Sequence, residues 1–266
     1  MESYTWEREQ QNCGIRSPWL GSDSMRSQET ENKDQLPAWP PRVQVAGVSS
    51  LEEALFCQGC GVDSLGFTLG LPWGPHDGLD SSKTRHIADN LPPDITKVLI
   101  TYIDQAREAS ELARRVLADA VQFHGGISDS ELRIFRQAQP YIKTIGCVTV
   151  AGLDAVHQAA SFRMPPWDAI ILDSLDPSTG RKGATGLTHD WAISARIVEE
   201  CMVPVILAGG LTPENVREAI TKVRPAGVDV HTGVENPDGS RNFNRIRAFA
   251  KTALETFHRL NYGRCR

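Results

Sequence analysis

Short apolar runs alternate with longer amphipathic segments along most of the chain, starting near Arg42. Runs of this length that stop at Gly, Asp or Ser are typical of strands in a parallel sheet, and apolar residues at intervals of three and four are typical of helices. The predicted strands cover residues 43–46, 64–68, 97–101, 120–123, 142–148, 169–172, 203–207 and 228–230. The predicted helices cover residues 51–60, 82–90, 105–117, 130–138, 153–160, 190–201, 213–223 and 242–260.

This alternation predicts an α/β protein, a single (β/α)8 TIM barrel formed by residues 42–262. Polar residues typical of helix starts support it: Ser50 and Ser128 each precede acidic residues, and Pro213 is expected at the first helical position. Residues 1–41 show neither the helical nor the strand period of apolar residues and are rich in Ser, Glu, Gln, Asn and Arg. We therefore expect a disordered N-terminal extension. Its Trp39 could still dock on the barrel or on a partner, as could Trp6 and Trp19.

Composition narrows the functional classes. The net charge is −5 and no dense Lys/Arg run occurs, which argues against nucleic acid as a partner. No apolar stretch is long enough to cross a membrane, and the first residues lack the pattern of a secretory signal, so we expect a cytoplasmic protein. The six cysteines are then expected to be reduced thiols. Because barrels of this kind occur as monomers and dimers, both a monomer and a homodimer remain open.

Two strand ends near the C-terminus carry glycines directly before a helix start. They are Leu207-Ala-Gly-Gly-Leu-Thr-Pro-Glu-Asn-Val216 and Val228-Asp-Val-His-Thr-Gly-Val-Glu235. A (β/α)8 barrel holds phosphate after strands 7 and 8, where backbone N–H groups and a helix N-terminus favour an anion. We therefore predict a phosphorylated small molecule as ligand, bound by Gly209, Gly210, Thr232 and Gly233. The alternative is that these are ordinary turn residues.

Other strand ends supply candidate acids and bases. Asp173 follows strand 6 and precedes a Gly/Thr-rich loop, a position typical of a site residue, although it could also be a solvated or capping carboxylate. His124 follows strand 4 and could act as base, acid or structural hydrogen-bonding group. Cys147, late in strand 5, is a base candidate if it points inward and otherwise a small buried hydrophobe.

Five motifs occur at corresponding strand ends in the order of one known family. The first is Val43-Gln-Val-Ala-Gly47 with the βαβ unit that follows, and the last two are the glycine-bearing runs given above. Between them lie Val121-Gln-Phe-His-Gly125 and Ile171-Leu-Asp-Ser174 followed by Gly183-Ala-Thr-Gly-Leu-Thr-His-Asp-Trp191. With these motifs the chain resembles phosphoribosylanthranilate isomerase, the barrel of tryptophan biosynthesis, from about Val43 to Phe249.

The resemblance implies an Amadori rearrangement of a phosphorylated aminoaldose, which needs an acid at the ring oxygen and a base at C2. It assigns the acid to Asp173 and the base to a cysteine, where this chain has Ala46. The family's arginine for the anthranilate carboxylate is unrecognisable in the longer loop after strand 2, and Arg85 is the nearest. Gln44 occupies the position of the family's usual lysine. Asn242 occupies the position of the aspartate in the family's late G-x-K-D motif.

A substitute base is therefore sought among His124, His76, Asp77, His231 and Cys147. We expect five residues to contact the substrate: Gln44, Asp77, Gly183, Asp229 and His231. Asp229 could instead only hold the turn between strands 7 and 8. Histidines and aspartates of the mouth would suit a metal, but they come from separate loops without fixed spacing, so neither a metal nor a cofactor is predicted. The pair Cys57 and Cys60 is better explained as helix cysteines packed on the barrel.

Three functions remain open. The first and favoured one is an isomerase-like enzyme on a phosphorylated sugar or sugar–amine, with Asp173 as acid and a relocated base. The second is a non-catalytic sugar-phosphate-binding or regulatory barrel. The third is a repurposed barrel, in which the loop that carries His76 and Asp77 serves a different reaction. That reaction could be assisted by a metal.

Overall fold

A computed structural model of the protein describes residues 39–72, 79–174 and 188–262. Within these ranges, side chains are described as far as Leu260. The strands are β1 (Val43–Ala46), β2 (Ser64–Thr68), β3 (Thr96–Thr101), β4 (Ala120–Phe123), β5 (Lys143–Thr149), β6 (Ala169–Asp173), β7 (Val205–Leu207) and β8 (Gly227–Val230). The helices are α1 (Leu51–Gly59), α2 (Ser81–Asp89), α3 (Ala106–Arg115), α4 (Asp129–Ala138), α5 (Asp154–Ser161), α6 (Trp191–Glu200), α7 (Val216–Val223) and α8 (Phe243–Tyr262). A 3₁₀ turn, Thr232–Val234, lies between β8 and α8.

The strands form a closed parallel barrel in sequence order, with β8 paired to β1. This confirms the predicted (β/α)8 fold. Ser50 and Ser128 cap their helices as expected, accepting hydrogen bonds from the backbone N–H groups of Glu53 at 3.1 Å and Glu131 at 3.3 Å.

One predicted helix start is wrong, because α7 begins at Val216 and not at Pro213. The side chain of Asn215 explains the delay. Its Oδ1 accepts a hydrogen bond from the N–H of Thr212 and its Nδ2 donates to the carbonyl of Gly210, at 2.8 and 2.9 Å. These bonds hold the preceding residues in a turn, which also fixes the loop after β7.

Side chains alternate along each strand between the helices and the barrel interior. Val43 and Val45 pack in the outer core, as do Val121, Phe123, Val228 and Val230, so the residues between them face inward. The interior itself holds a second apolar cluster formed by Ala46, Val98, Ile100, Ala120, Ile145, Ala169, Ile171, Ile206 and Ala208. The interior is thus filled at mid-height by small and β-branched residues, and polar inward residues are placed nearer its ends.

The N-terminal end of the barrel is closed by Trp39 and an ion cluster. Trp39, which belongs to the predicted extension, packs against the interior cluster and donates from Nε1 to the carbonyl of Asp168 at 3.2 Å. The buried carboxylate of Asp168 accepts from the N–H of Thr144 at 2.9 Å and pairs with Arg136 at 2.9 Å and Lys143 at 3.1 Å. These contacts tie β5, α4 and β6 together at the end opposite the strand C-termini.

In the part of the chain that the structure describes, no helix combines the length and apolar character needed to cross a membrane.

We expect Asp168→Asn to lower the free energy of unfolding by about 1–3 kcal/mol, because a neutral amide cannot accept from all of these donors, two of which are cationic. Urea denaturation followed by circular dichroism measures the effect. Any turnover should remain at the wild-type level, since the residue lies at the far end of the barrel. Unchanged stability would contradict the structural role given to this carboxylate.

Candidate active site

Two acidic side chains meet at the C-terminal end of the barrel. Leu172 of β6 pairs with Leu207 of β7, and Leu207 pairs with Val228 of β8. The next residue of each strand therefore stands in one row, in the order Asp173, Ala208, Asp229. All three face the interior, and only the methyl group of Ala208 separates the two carboxyl groups along the row.

Asp173 is held by one hydrogen bond and by a contact with a histidine ring. Its Oδ1 accepts from the N–H of Ser174 at 2.7 Å, and its Oδ2 lies 3.6 Å from Nε2 of His124. Only 7% of the residue is exposed. Burial raises the pKa of the Asp173 carboxyl, while His124 and the Ser174 N–H oppose the rise. A carboxyl group with a raised pKa at a barrel mouth is suited to donating a proton.

His124 faces the interior at the end of β4, as predicted, but both of its ring nitrogens lie beside polar side chains. Nδ1 is 3.2 Å from the amide nitrogen of Gln122. An amide nitrogen only donates, so Nδ1 is the acceptor, and the proton of a neutral ring is on Nε2, toward Asp173. The ring also lies 5.2 Å, between centroids, from Tyr102. This arrangement makes His124 a group that positions Asp173, and a base only if the contact with Gln122 breaks.

Gln44, predicted as a substrate contact, belongs to a buried polar network. It is fully buried, accepts from the hydroxyl of Ser64 at 2.9 Å, and donates to Oε1 of Gln122 at 3.4 Å. Its side-chain amide also hydrogen-bonds the carboxyl of Asp229, its register partner on β8. Gln44 thus connects the two sides of the polar network.

Asp229 is the more strongly perturbed of the two carboxyl groups. Burial and, after it, the charge of Asp173 raise its pKa to about 7, and the hydrogen bond from Gln44 and the charge of Arg241 only partly oppose the rise. Its Oδ1 is buried and accepts no hydrogen bond from the described residues. Such an oxygen retains its full capacity to accept a proton.

Ala46 occupies the next inward position of β1 above Gln44 and belongs to the apolar interior cluster. Its methyl group can neither accept nor donate a proton. Cys147 does point inward, the condition for its candidacy, but it packs against the same apolar cluster. It forms no disulfide.

The glycines after β7 and β8 serve close packing. Gly209 and Gly210 have φ of 81° and 61°, which side chains rarely adopt. A Cβ on Gly209 would overlap the hydroxyl of Ser174, and one on Gly233 would overlap the carbonyl oxygen of Leu211. The loop after β7 can therefore pack against Ser174 and against the loop after β8 only because these positions have no side chain.

Together the two loops line an open cleft of about 570 Å³ that contains Gly210, Thr232 and Gly233. The 3₁₀ turn Thr232–Val234 starts at its edge, in the place where barrels of this type carry a short phosphate-binding helix. Arg245 lies at the same cleft, donating to the carbonyl of Gly233 at 2.9 Å and pairing with Glu214 at 2.8 Å. Three of the four predicted phosphate residues, Gly210, Thr232 and Gly233, therefore line one cleft, whereas Gly209 packs against Ser174.

His231, predicted as a substrate contact, joins a cluster that the sequence reasoning missed. Arg241 pairs with Glu53 at 2.8 Å and with Glu235 at 3.4 Å, and Nε2 of His231 lies 3.4 Å from Glu235. The guanidinium group also donates to the carbonyls of Ala46 and His231. The sequence offered one signal for this cluster. Arg241 occupies the lysine position of the family's late G-x-K-D motif, directly before Asn242.

A second arrangement missed from sequence fixes Ser174. Its hydroxyl is 2.9 Å from Nδ1 of His189, whose Nε2 is 2.7 Å from the hydroxyl of Ser194. Burial lowers the pKa of His189 to about 4, so this ring is neutral near pH 7. A neutral His189 holds the residue that donates to Asp173.

Three predicted site residues, His76, Asp77 and Gly183, lie outside the described residues. Among residues 39–72, 79–174 and 188–262, no group of three or more His, Cys, Asp or Glu side chains is placed to hold a metal ion.

The fold and the site define a (β/α)8 barrel with a buried acid at the strand ends and a glycine-lined cleft after β7 and β8. The family model of N-(5'-phosphoribosyl)anthranilate (PRA) isomerase matches residues 84–252. N-(5'-phosphoribosyl)anthranilate isomerase 2 of Methanosarcina mazei is 37% identical over 219 residues, which are 82% of this chain and 96% of the relative. This chain belongs to the N-(5'-phosphoribosyl)anthranilate isomerase family.

Solved structures agree with this assignment. Phosphoribosyl anthranilate isomerase from Thermotoga maritima is 30% identical with a TM-score of 0.68, covering 81% of this chain and 99% of that one. A phosphoribosyl anthranilate isomerase in complex with reduced 1-(o-carboxyphenylamino)-1-deoxyribulose 5-phosphate is 29% identical with a TM-score of 0.68 and the same coverage.

We expect Asp229→Asn to stabilise the protein in a pH-dependent way. A folded-state pKa of about 7, against the ordinary 3.8, means that the contribution of Asp229 to stability is complete below pH 3.8 and lost as the pH rises to about 7. The neutral amide avoids that loss, which amounts to at most roughly 4 kcal/mol.

Urea denaturation of both proteins at pH 4 and pH 8 measures this difference. The difference in unfolding free energy, variant minus wild type, should be larger at pH 8 than at pH 4. A constant gap would mean that burial does not perturb the carboxyl of Asp229.

Proposed function

We propose that this protein catalyses the Amadori-type isomerisation of N-(5'-phosphoribosyl)anthranilate or of a closely related phosphorylated aminoaldose. The observation that carries the proposal is the buried carboxyl of Asp173 at the end of β6, held by Ser174 and His124. Membership of the isomerase family adds to it.

Asp173 acts as the general acid in this reaction. It gives its proton to the ring oxygen of the aminoaldose while the bond between that oxygen and C1 breaks, and the nitrogen lone pair forms a double bond to C1. Burial favours the protonated form of Asp173 before the step. Once ionised, the carboxylate is stabilised by the N–H of Ser174 and by Nε2–H of His124.

The phosphate group of the substrate fits the cleft after β7 and β8. Gly210, Thr232 and Gly233 line this cleft, and Thr232 begins the 3₁₀ turn there. The ligand of the related crystal structure, a deoxyribulose 5-phosphate derivative, supports a sugar phosphate as the ligand class here.

The amine portion of the substrate is less constrained. The sequence has no arginine between Thr68 and Leu79. Arg85, the nearest candidate for a carboxylate clamp, pairs with Asp89 at 2.8 Å on the exposed face of α2. The proposal therefore extends to phosphorylated aminoaldoses whose amine carries no carboxylate.

The test is a turnover assay with freshly prepared phosphoribosylanthranilate, followed by loss of its fluorescence. We expect turnover by wild type and a loss of at least about 100-fold in kcat for Asp173→Asn, because the amide cannot protonate the ring oxygen. Asp168→Asn is the matched control, a buried aspartate at the opposite end of the barrel, and should retain turnover per folded molecule.

A second function is favoured by one observation, the methyl group of Ala46 at the position where the family resemblance expects the base. In that case the protein binds a sugar phosphate without converting it. Calorimetric binding of ribose 5-phosphate together with no turnover of the aminoaldose would support this function and overturn the isomerase.

A further inference from the structure

An Amadori rearrangement needs a base at C2, and none of the earlier candidates is well placed among the described residues. Nδ1 of His124 accepts from Gln122, Cys147 packs on the apolar interior, and Nε2 of His231 lies 3.4 Å from Glu235, which also pairs with Arg241. We propose that Asp229 of β8 is the general base that removes the C2 proton, in place of a group on β1. This inference rests on the isomerase function proposed above.

The position of Asp229 fits this role on two sides. On one side it pairs in register with Gln44 of β1, so it lies beside the strand whose next inward residue is Ala46. On the other side it shares a row with Ala208 and Asp173. A sugar held at the mouth by its phosphate would thus have an acid on β6 and a base on β8, with only Ala208 of β7 between them, as ring opening and C2 deprotonation require.

Small side chains surround the carboxyl group on the substrate side. The neighbouring inward positions on β1 and β7 are Ala46 and Ala208, whose side chains are only methyl groups. Oδ1 is buried and accepts no hydrogen bond from the described residues. A buried carboxylate oxygen in this state is costly unless a proton or a ligand engages it, and this cost makes it a strong base.

The charges around Asp229 keep it able to titrate near neutrality. Asp173 from β6 raises its pKa, and Arg241 from the segment before α8 lowers it, but Arg241 is itself paired with Glu53 and Glu235. β1 presents only the neutral Gln44, and β7 presents Ala208. His124, across the interior, is directed at Asp173. The resulting pKa of about 7 matches the task of a general base near neutral pH.

The proton balance closes over the reaction. After Asp173 has protonated the ring oxygen and C1 is doubly bonded to nitrogen, Asp229 takes the proton from C2. The C–H electron pair forms a double bond between C1 and C2, and the electrons of the former C=N bond return to nitrogen. Asp229 then gives its proton to C1 while the C2 hydroxyl loses its own to Asp173, which yields the ketose and restores both carboxyl groups.

The first experiment compares kcat and KM of wild type with those of Asp229→Asn, which keeps the shape but cannot take a proton. We expect a loss of at least about 100-fold in kcat with KM changed by less than about fivefold. Asp63→Asn is the matched control: Asp63 is also a largely buried carboxyl with a raised pKa, but it lies at the start of β2, at the other end of the barrel.

Restoring a base on β1 separates a chemical role from a structural one. Ala46→Cys in the Asp229→Asn background should recover at least tenfold in kcat, since a thiolate then replaces the missing carboxylate. A structural defect at Asp229 would not be repaired by a thiol on another strand.

The pH profile tests the assignment even if Asp229→Asn does not fold. In wild type kcat should fall as the pH drops through about 7, because protonated Asp229 cannot accept a proton. Gln44→Lys places a cation beside the carboxyl, which lowers its pKa, and the acidic limb should move down by at least one pH unit. An unmoved limb, or turnover by Asp229→Asn at the wild-type rate, would overturn the assignment.

The outcomes also separate the two proposals. Turnover that Asp173→Asn abolishes and Asp229→Asn leaves intact would keep the isomerase and remove Asp229 as its base. Absence of turnover by wild type would remove both.

Discussion

A line of hydrogen bonds crosses the interior of the barrel, and the geometry of the site depends on it. The hydroxyl of Ser64 donates to Gln44, Gln44 donates to Gln122, and Gln122 donates to His124. Each amide accepts on one side and donates on the other, so the direction is the same along the line. Its end is fixed as well, because an acceptor at Nδ1 leaves the His124 proton on Nε2, facing Asp173.

This network explains why two glutamines can be buried beside the apolar cluster that fills the middle of the barrel. A buried amide without partners costs several kcal/mol, whereas here each amide has partners on two sides. The network ends at two carboxyl groups that share the low-dielectric mouth, and burial raises the pKa of both. Different neighbours then distinguish them. Asp173 has a hydrogen bond from Ser174 and the His124 ring beside it, and Asp229 has a bare oxygen, which is the basis for proposing one as acid and the other as base.

Close packing places the phosphate cleft relative to these carboxyl groups. Ser174 follows Asp173 directly, touches His189, and lies where a side chain on Gly209 would have to be. The loop after β7 is thus packed against the residue that donates to the acid. In the proposed isomerase, a phosphate in this cleft would be held in a fixed position relative to Asp173 by this packing, which is the condition for productive orientation.

The periodicity of the chain determined the barrel, because strand and helix periods are local properties that survive without tertiary contacts. It also located Asp173, His124 and the glycine runs, since strand ends in a parallel barrel all meet at one face. The one clear boundary error, at α7, came from a side-chain bond of Asn215 that competes with the helix. Local propensity does not contain such a bond.

Tertiary structure alone decided what these residues do to one another. From sequence, Gln44 was a substrate contact and Asp229 a turn or ligand residue, whereas register makes them partners in the interior. The cluster of Arg241 with Glu53 and Glu235 joins residues nearly 200 positions apart. The sequence by itself determined which residues reach the mouth of the barrel. Their pKa values, hydrogen-bond directions and chemical roles depend on burial and on distances between strands that are remote in sequence, and only the closed barrel sets these.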